Sequence, residues 1–559
     1  MNPTIFNSMF KPGTTAAVAL AAALASGGTA VAHTGAAAPD DPDRQTLQLT
    51  LDEAMRRAIE KNPDLAIVRL DTEVEAARVS ESRGAYAPLF STTIGRSSSA
   101  TPPSNILLGD RGVNVGDWFS SAGVRQRLPW GSGTWAFSWD ASRTTTNAAI
   151  STFDPSLLSG LQLAFSQPLL RDRSIDASRQ QYIVARRNQA SSELTFREAI
   201  VQTVTSVKQA YWTLKASLAN MAVQQQSLEL AQELARQNRV RVKGGQNPPL
   251  DLVQAEAEVA QRREGLIRAR TGAEDAEDAL RRLIVDPADG SFWHLRLDPV
   301  DDPSPVGPAP DVDRAVAMAL SERYDLARAN HDLENARTTV NYLQNQRLPD
   351  IRVETSYAAA GLSGTQFVRA GGFPGSVTGT RGIGFSNALG QVFSNDYPTW
   401  SFGVTVSYPL GHSYEDASLA RAQVERRQTE QRIASLRIQA AEAIRRGARQ
   451  IRSAAERVEA ARAGGTLAEQ RLNAEQRRFE VGLSTTFLVT QAQRDLLESQ
   501  VNLLQSMLDY QSALVNFEAA QHASSTSPAY GVAIRGAEIV QLPPPVPRGL
   551  FRPGAGVGF

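Results

Sequence analysis

Two spacings of apolar residues alternate along the chain. In the first, large hydrophobics recur by fours and threes: Ile200, Val204, Val207, Tyr211, Leu214, Leu218 and Met221, continued at intervals of seven by Leu228, Ala235 and Val242. The same spacing returns at Ile444, Ile451, Val458, Gly465, Leu472 and Phe479. It returns again at Val489, Ala492, Leu496, Ser499, Leu503, Ser506, Tyr510, Ala513 and Phe517. A repeat of about 3.5 residues keeps one stripe facing a partner helix and specifies coiled-coil packing. Alanines beside the stripes admit a second close neighbour, as a curved wall of helices requires. The predicted helices cover roughly 51–86, 176–243 and 250–285, then 312–347, 415–480 and 486–521. At 1.5 Å per residue each set measures about 50, 100 and 50 Å, so two short helices end to end match one long one. That arithmetic suits a wall of constant height, not a compact globule.

The second spacing has period two. Trp400, Phe402, Val404, Val406 and Tyr408 alternate with Ser401, Gly403, Thr405 and Ser407. Ile351, Val353, Thr355 and Tyr357 alternate with Arg352, Glu354 and Ser356, and Leu161, Leu163 and Phe165 with Gln162, Ala164 and Ser166. Such strands present one apolar and one polar face, as in a barrel with lipid outside and water within; a half-buried soluble sheet gives the same pattern. Trp400 and Tyr408 stand about 26 Å apart along a strand, or about 20 Å after tilting, close to the height of a lipid-facing band. The second half holds two strands separated by a Gly-rich external loop, about 358–398. The first half holds four, because alternation continues through Ala122, Val124, Gln126 and Leu128, then a Pro129–Gly133 turn, then Trp135, Phe137 and Trp139. Closed as a trimer, two plus two strands give about 12 and four plus two give about 18.

The halves follow one plan. Leu51–Leu65 matches Val312–Leu326 at a constant offset that also carries Pro88 onto Pro349. Ser166-Gln167-Pro168-Leu169 matches Ser407-Tyr408-Pro409-Leu410, and Gly245 to Ala255 matches Gly482 to Ala492. Ordered matches at element boundaries indicate a tandem duplication joined by a Pro- and Asp-rich connector.

Composition narrows the chemistry. Lys+Arg and Asp+Glu both number 58, so no global field points to nucleic acid. With no cysteine, 5 histidines and 6 methionines, thiolate chemistry is excluded and no metal site is expected. Residues 1–32 read as an export signal: Lys11, an apolar run from Thr14 to Ala25, then Ala30-Val31-Ala32 before a cleavage point. No later apolar run approaches the roughly 20 residues of a spanning helix, so a membrane would be entered as a β-barrel.

Arg478-Phe479-Glu480-Val481-Gly482-Leu483-Ser484-Thr485, then Leu488-Val489-Thr490-Gln491-Ala492-Gln493, follows the second long helix. A weaker copy, Arg241-Val242-Lys243-Gly244-Gly245-Gln246 with Asp251-Leu252-Val253-Gln254-Ala255, follows the first. With these motifs the sequence resembles the TolC-like outer-membrane efflux family over about residues 45–522. The resemblance implies a mainly α fold with a transmembrane β portion: a long coiled-coil α-helical barrel fused to a trimeric outer-membrane β-barrel, internally duplicated. It implies a homotrimer in outer-membrane lipid, working with a periplasmic adaptor protein and an inner-membrane transporter. Adaptor docking then falls on the helix tips, at Lys243, Gly244, Gly245, Phe479, Val481, Gly482, Leu483 and Ser484. The periplasmic aperture falls at Asp251, Gln254, Leu488 and Gln491, and the lipid-facing barrel at Trp400, Phe402, Val404, Val406 and Tyr408. Asp251 matches a carboxylate that helps latch the family's closed aperture. Ser484 stands where its arginine partner is expected, and Leu488 and Gln491 where acidic residues are expected. The expectation is therefore an aperture closed by polar and apolar packing, with Asp251 as its one ionisable group.

The expected organisation is a signal peptide (1–32), a flexible lead-in (33–50), a first repeat (51–285), a connector (286–311), a second repeat (312–521) and a flexible tail (522–559). No catalytic motif, cofactor site or nucleic-acid surface is expected: His33, His294, His331, His412 and His522 lie in unrelated segments, and paired aspartates sit in Pro-rich loops. A channel for type I protein secretion and a surface coiled-coil rod are the competing readings. A rod accounts for the heptads but not for the strands.

Overall fold

The computed structural model describes residues 46–103, 112–286, 294–372, 375–411 and 413–521. The expected signal (1–32) and tail (522–559) lie outside the described residues. Each half supplies a 67-residue helix, α3 (Ala177–Lys243) and α8 (Tyr414–Glu480). Each then supplies a 36-residue helix, α4 (Pro249–Ile284) and α9 (Thr486–Gln521). These lengths correspond to about 100 and 54 Å. Asp176 and Ser413 begin the long helices by accepting hydrogen bonds from the Arg179 and Asp416 amides.

The shorter helices ahead of them are broken where continuous ones were expected. The 51–86 stretch divides into α1 (Leu51–Lys61) and α2 (Pro63–Gly84). The Pro63 ring lacks an amide proton, and Asn62 caps the new start by accepting from Leu65 N. The 312–347 stretch divides into α5 (Val312–Glu322) and α6 (Tyr324–Gln346) with no proline at the break. There Arg323 turns to extended geometry and its guanidinium donates to Asp325 and to the Ala520 carbonyl at the end of α9.

Toward the helix tips the elements lie side by side in the order α4–α3–α9–α8; toward the other end the order is α2–α3–α6–α8. Both are single layers four helices wide, with the neighbours on two sides that the stripes required. Its thickest core sits at mid-height, where Val207, Tyr211, Leu214, Leu280 and Ile284 are buried against Leu49 and Leu297. Full burial of each such side chain stabilises by about 1.5–3 kcal/mol. Leu49 and Leu297 belong to β1 (Thr46–Leu49) and β6 (Arg296–Pro299), a parallel pair that brings the end of the expected flexible lead-in and the connector together. The Tyr211 hydroxyl sits between the Leu49 carbonyl and the Asp301 carboxylate and accepts from Asp301 N. Burial pushes this phenol's pKa well up.

Beyond the wall lies an antiparallel sheet: β2 (Leu89–Thr101), β3 (Val113–Arg127), β4 (Thr134–Thr146), β5 (Phe153–Pro168), β7 (Asp350–Ala370), β8 (Ser376–Ile383) and β9 (Tyr397–Ser407). Its order is β2-β3-β4-β5-β7, and the far side of β7 is shared by β9 along Asp350–Ala360 and β8 along Gly364–Ala370. Seven strands thus fill six columns. The 358–398 segment was expected to be a Gly-rich external loop with no core of its own. Instead it extends β7, forms β8 and folds α7 (Phe385–Ser394) over the sheet. Small residues make the room: a Cβ on Gly361 would overlap the Ala388 carbonyl, and Ser159, Ala359 and Ser363 are buried nearby. Gln391 closes the gap between β9 and β8 by accepting from Leu362 N.

Pairing registers place Phe90, Val124, Phe137, Leu163, Tyr357 and Trp400 in one row across all six columns. One row on, at the opposite face, Ser91, Gly123, Ser138, Gln162, Ala358 and Thr399 align. The sheet therefore has one continuous apolar and one continuous polar face.

Candidate functional site

The tips at the far end of the wall are built by two matching turns. Gly245 (φ 71°) and Gly482 (φ 77°) hold the left-handed conformation. Gln246 N donates to Arg241 O and Gly245 N to Val242 O; Leu483 N donates to Arg478 O and Gly482 N to Phe479 O. Each is a Schellman cap, in which glycine avoids the Cβ penalty. Gly244, one residue earlier, has a φ of −80° and does not share this need.

Of the tip residues, Lys243, Gly244, Gly245, Val481, Gly482 and Leu483 are exposed, and Ser484 is half-buried, donating to Glu475. Phe479 corrects the expectation: it is 3% exposed and belongs to the buried cluster that also holds Leu234, Leu472, Val489 and Leu496. The Arg241 guanidinium stacks on its ring and donates to its carbonyl. Heptad position decided this, since Phe479 closes the apolar stripe of α8. It therefore supports the tip from within, while Val481 and Leu483 project.

Asp251 joins a polar cluster between the two hairpins. Its carboxylate accepts from Asn247 at 3.0 Å and lies 3.4 Å from the Thr486 hydroxyl. Thr486, at the start of α9, also donates at 2.9 Å to Asn238 of α3, which is fully buried. The other expected aperture residues do not join it. Gln254 and Leu488 are exposed, and Gln491 donates to Asp495 on its own helix.

A second inter-hairpin link, which sequence reasoning missed, lies about two turns further along α4. Glu258 is 3% exposed, and its carboxylate pairs with Arg262 of α4 at 2.6 Å and Arg494 of α9 at 2.5 Å. Burial pushes the Glu258 carboxyl up, but the Arg494 hydrogen bond and the two guanidinium charges outweigh it, holding the group below its ordinary value. The same bond raises Arg494. Asp251 is thus not the one ionisable group here. The available signal was weak: Glu258 interrupts a run of small residues on α4, but Arg494 lies 236 positions away in the other repeat.

On the sheet, Trp400, Phe402, Val404 and Val406 of β9, followed by Tyr408, are all more than half exposed. Among the described residues no helix is long and apolar enough to cross a membrane.

Residues 54–284 and 315–521 match the family described as outer membrane efflux protein, once for each repeat. The chain belongs to this family. Solved channels have the same fold: the CmeC outer membrane channel of Campylobacter jejuni matches at 15% identity with a TM-score of 0.61, over 84% of this chain and 85% of that one. The open-state MtrE channel of Neisseria gonorrhoeae matches at 17% identity with a TM-score of 0.59, over 85% and 89%. VceC of Vibrio cholerae matches at 16% identity with a TM-score of 0.59, over 85% and 96%. Comparison with curated proteins finds no match. Family membership places the exposed apolar strands of this outer-membrane protein beside its long helical wall as parts of one architecture.

Proposed function

We propose that the chain is the outer-membrane channel of a tripartite efflux system, conducting substrates passively from a periplasmic adaptor and inner-membrane transporter to the exterior of a Gram-negative cell. The observation that carries this reading is the join of a two-faced sheet, whose edge strands β2 and β9 have no further partner among the described residues, to a single layer of helices about 100 Å tall. A sheet with one apolar face resides in lipid only when its edges are paired, and closure into a homotrimeric barrel pairs them. The polar face then lines water, and the layer continues the tube into the periplasm. Trp400, Phe402, Val404, Val406 and Tyr408 meet lipid. Val481 and Leu483, flanked by Lys243, Gly244, Gly245, Gly482 and Ser484, dock the adaptor.

At the tips, opening separates α3–α4 from α8–α9. Separation must break the Glu258–Arg494 pair and the cluster of Asp251, Asn238, Asn247 and Thr486, so both favour the closed state. Fractionation and planar-bilayer recording test the reading. A channel gives a heat-sensitive trimer in the outer-membrane fraction and discrete conductance steps. A chain that leaves the membrane without detergent and carries no current is a surface rod instead.

A further inference from the structure

The structure assigns to each chain six barrel columns rather than four, and we infer that β2 of one copy pairs with β9 of the next to close an 18-stranded barrel from three chains. This rests on the trimeric reading above and adds the strand count and the interface that sets it.

The hairpin β2–β3 is the pair in question, because a four-column sheet would begin at β4. Three observations put it in the wall. First, its ladders run without a shift: β2 pairs with β3 from Leu89↔Arg125 to Thr101↔Val113, and β3 with β4 from Val115↔Thr146 to Arg127↔Thr134. A hairpin folded aside would have to give up the whole β3–β4 ladder, and β4 would then need the β9 edge of a neighbouring copy in its place, because in lipid each unpaired backbone group costs several kcal/mol.

Second, the hairpin carries the same face as the rest. Phe90 and Ile94 of β2 and Trp118 and Val124 of β3 continue the apolar side, all but Val124 strongly exposed. At the outer end Arg96, Trp118 and Arg143 align in one row, with the Arg96 guanidinium 5.3 Å from the Trp118 ring, as at a membrane interface. Between that row and Phe90, about 20 Å along the strand, no charged residue occupies the apolar side of any column. The register of β2 is pinned from the polar side, where the Phe119 ring lies over Gly95 and fills the space a Cβ would need.

Third, the parity closes. Every pairing is antiparallel, so β2 and β9 run in opposite directions across the six columns. A neighbouring copy can then add its β2 to β9 as one more antiparallel pair, apolar side to apolar side. Each chain offers one edge of each kind, which makes a head-to-tail interface that closes into a ring. At equal tilt the barrel circumference grows with strand number, so this lumen is about 1.5-fold wider than one built from four columns per chain.

The absence of native cysteine makes the test clean. Ser91→Cys, Thr93→Cys or Ser97→Cys on β2 is combined in turn with Ser401→Cys, Thr405→Cys or Ser407→Cys on β9, covering several staggers on the polar side. A parallel set joins Ser138→Cys of β4 to the same β9 positions. Intact protein is oxidised in membranes, run on denaturing gels, and weighed by native mass spectrometry in detergent. The expected result is a shift from single chains to covalent dimers and trimers for a β2/β9 combination only. Covalent trimers from β4/β9, or none from β2/β9 in particles of three-chain mass, overturn the inference and leave the trimer standing. A native mass other than three chains overturns both.

Discussion

Arg494→Gln is the most informative perturbation of the closed state, because it cuts the link between hairpins and leaves the buried Glu258–Arg262 pair within α4 intact. Losing one partner of a fully buried ion pair costs about 3–5 kcal/mol, and losing an exposed pair about 0–1 kcal/mol. Glu258 is 3% exposed, but the Arg494 side chain is 49% exposed and keeps much of its hydration. The link is therefore worth about 1–2 kcal/mol per chain. If three chains contribute independently, the open state gains about 3–6 kcal/mol, at least a hundredfold in the open–closed equilibrium. Single-channel recording of the wild type, Arg494→Gln, Glu258→Gln and the double variant forms a thermodynamic cycle. Each single variant should leak in the closed state, and the double should leak less than independent effects would give. Additivity within about 0.3 kcal/mol would refute a direct coupling, and an unchanged closed-state current in Arg494→Gln would remove the pair from gating altogether.

The same pair sets a pH response. Because the Glu258 carboxyl is held below its ordinary value, the link is fully present above the unpaired glutamate pKa of about 4.3 and is lost as pH falls through the lower paired value. Closed-state current should stay flat from neutral pH down to about 4.3 and rise only below it, and Arg494→Gln, which already lacks the link, should lose this acid-dependent rise. Gly482→Ala forces a Cβ into left-handed geometry and should cost about 1–2 kcal/mol in thermal or denaturant unfolding, whereas Gly244→Ala should cost nothing and can gain up to about 1 kcal/mol. Phe479→Ala empties a buried site under the Arg241 guanidinium and should destabilise the tip by about 3–5 kcal/mol, read as faster amide exchange at the start of α9. Val481→Ser with Leu483→Ser should leave each residue's contribution to stability within about 0.5 kcal/mol while reducing chemical cross-linking to the adaptor. Unchanged cross-linking would move docking off these side chains.

Local chemistry in the sequence determined the repeating parts of this protein. Heptads specify helices that need neighbours on two sides, and the caps at Asp176, Ser413, Gly245 and Gly482 end them at matched lengths. Period-two alternation specified a sheet with two unlike faces, and Pro63 carries a local signal for the helix break that the continuous 51–86 helix overlooked. Tertiary structure decided whatever joins residues far apart in the chain. The break at Arg323 depends on a carbonyl of α9, and burial of Phe479 depends on which side of α8 meets its neighbours. Asp251 was legible as a polar tip residue, but its contacts with Asn247 and Thr486 were not. The Glu258–Arg494 pair joins two repeats whose relative placement no local pattern encodes. The same holds for the sheet. Each strand is written in its own residues, but six antiparallel columns, with no further partner on either edge among the described residues, appear only when the whole sheet is assembled.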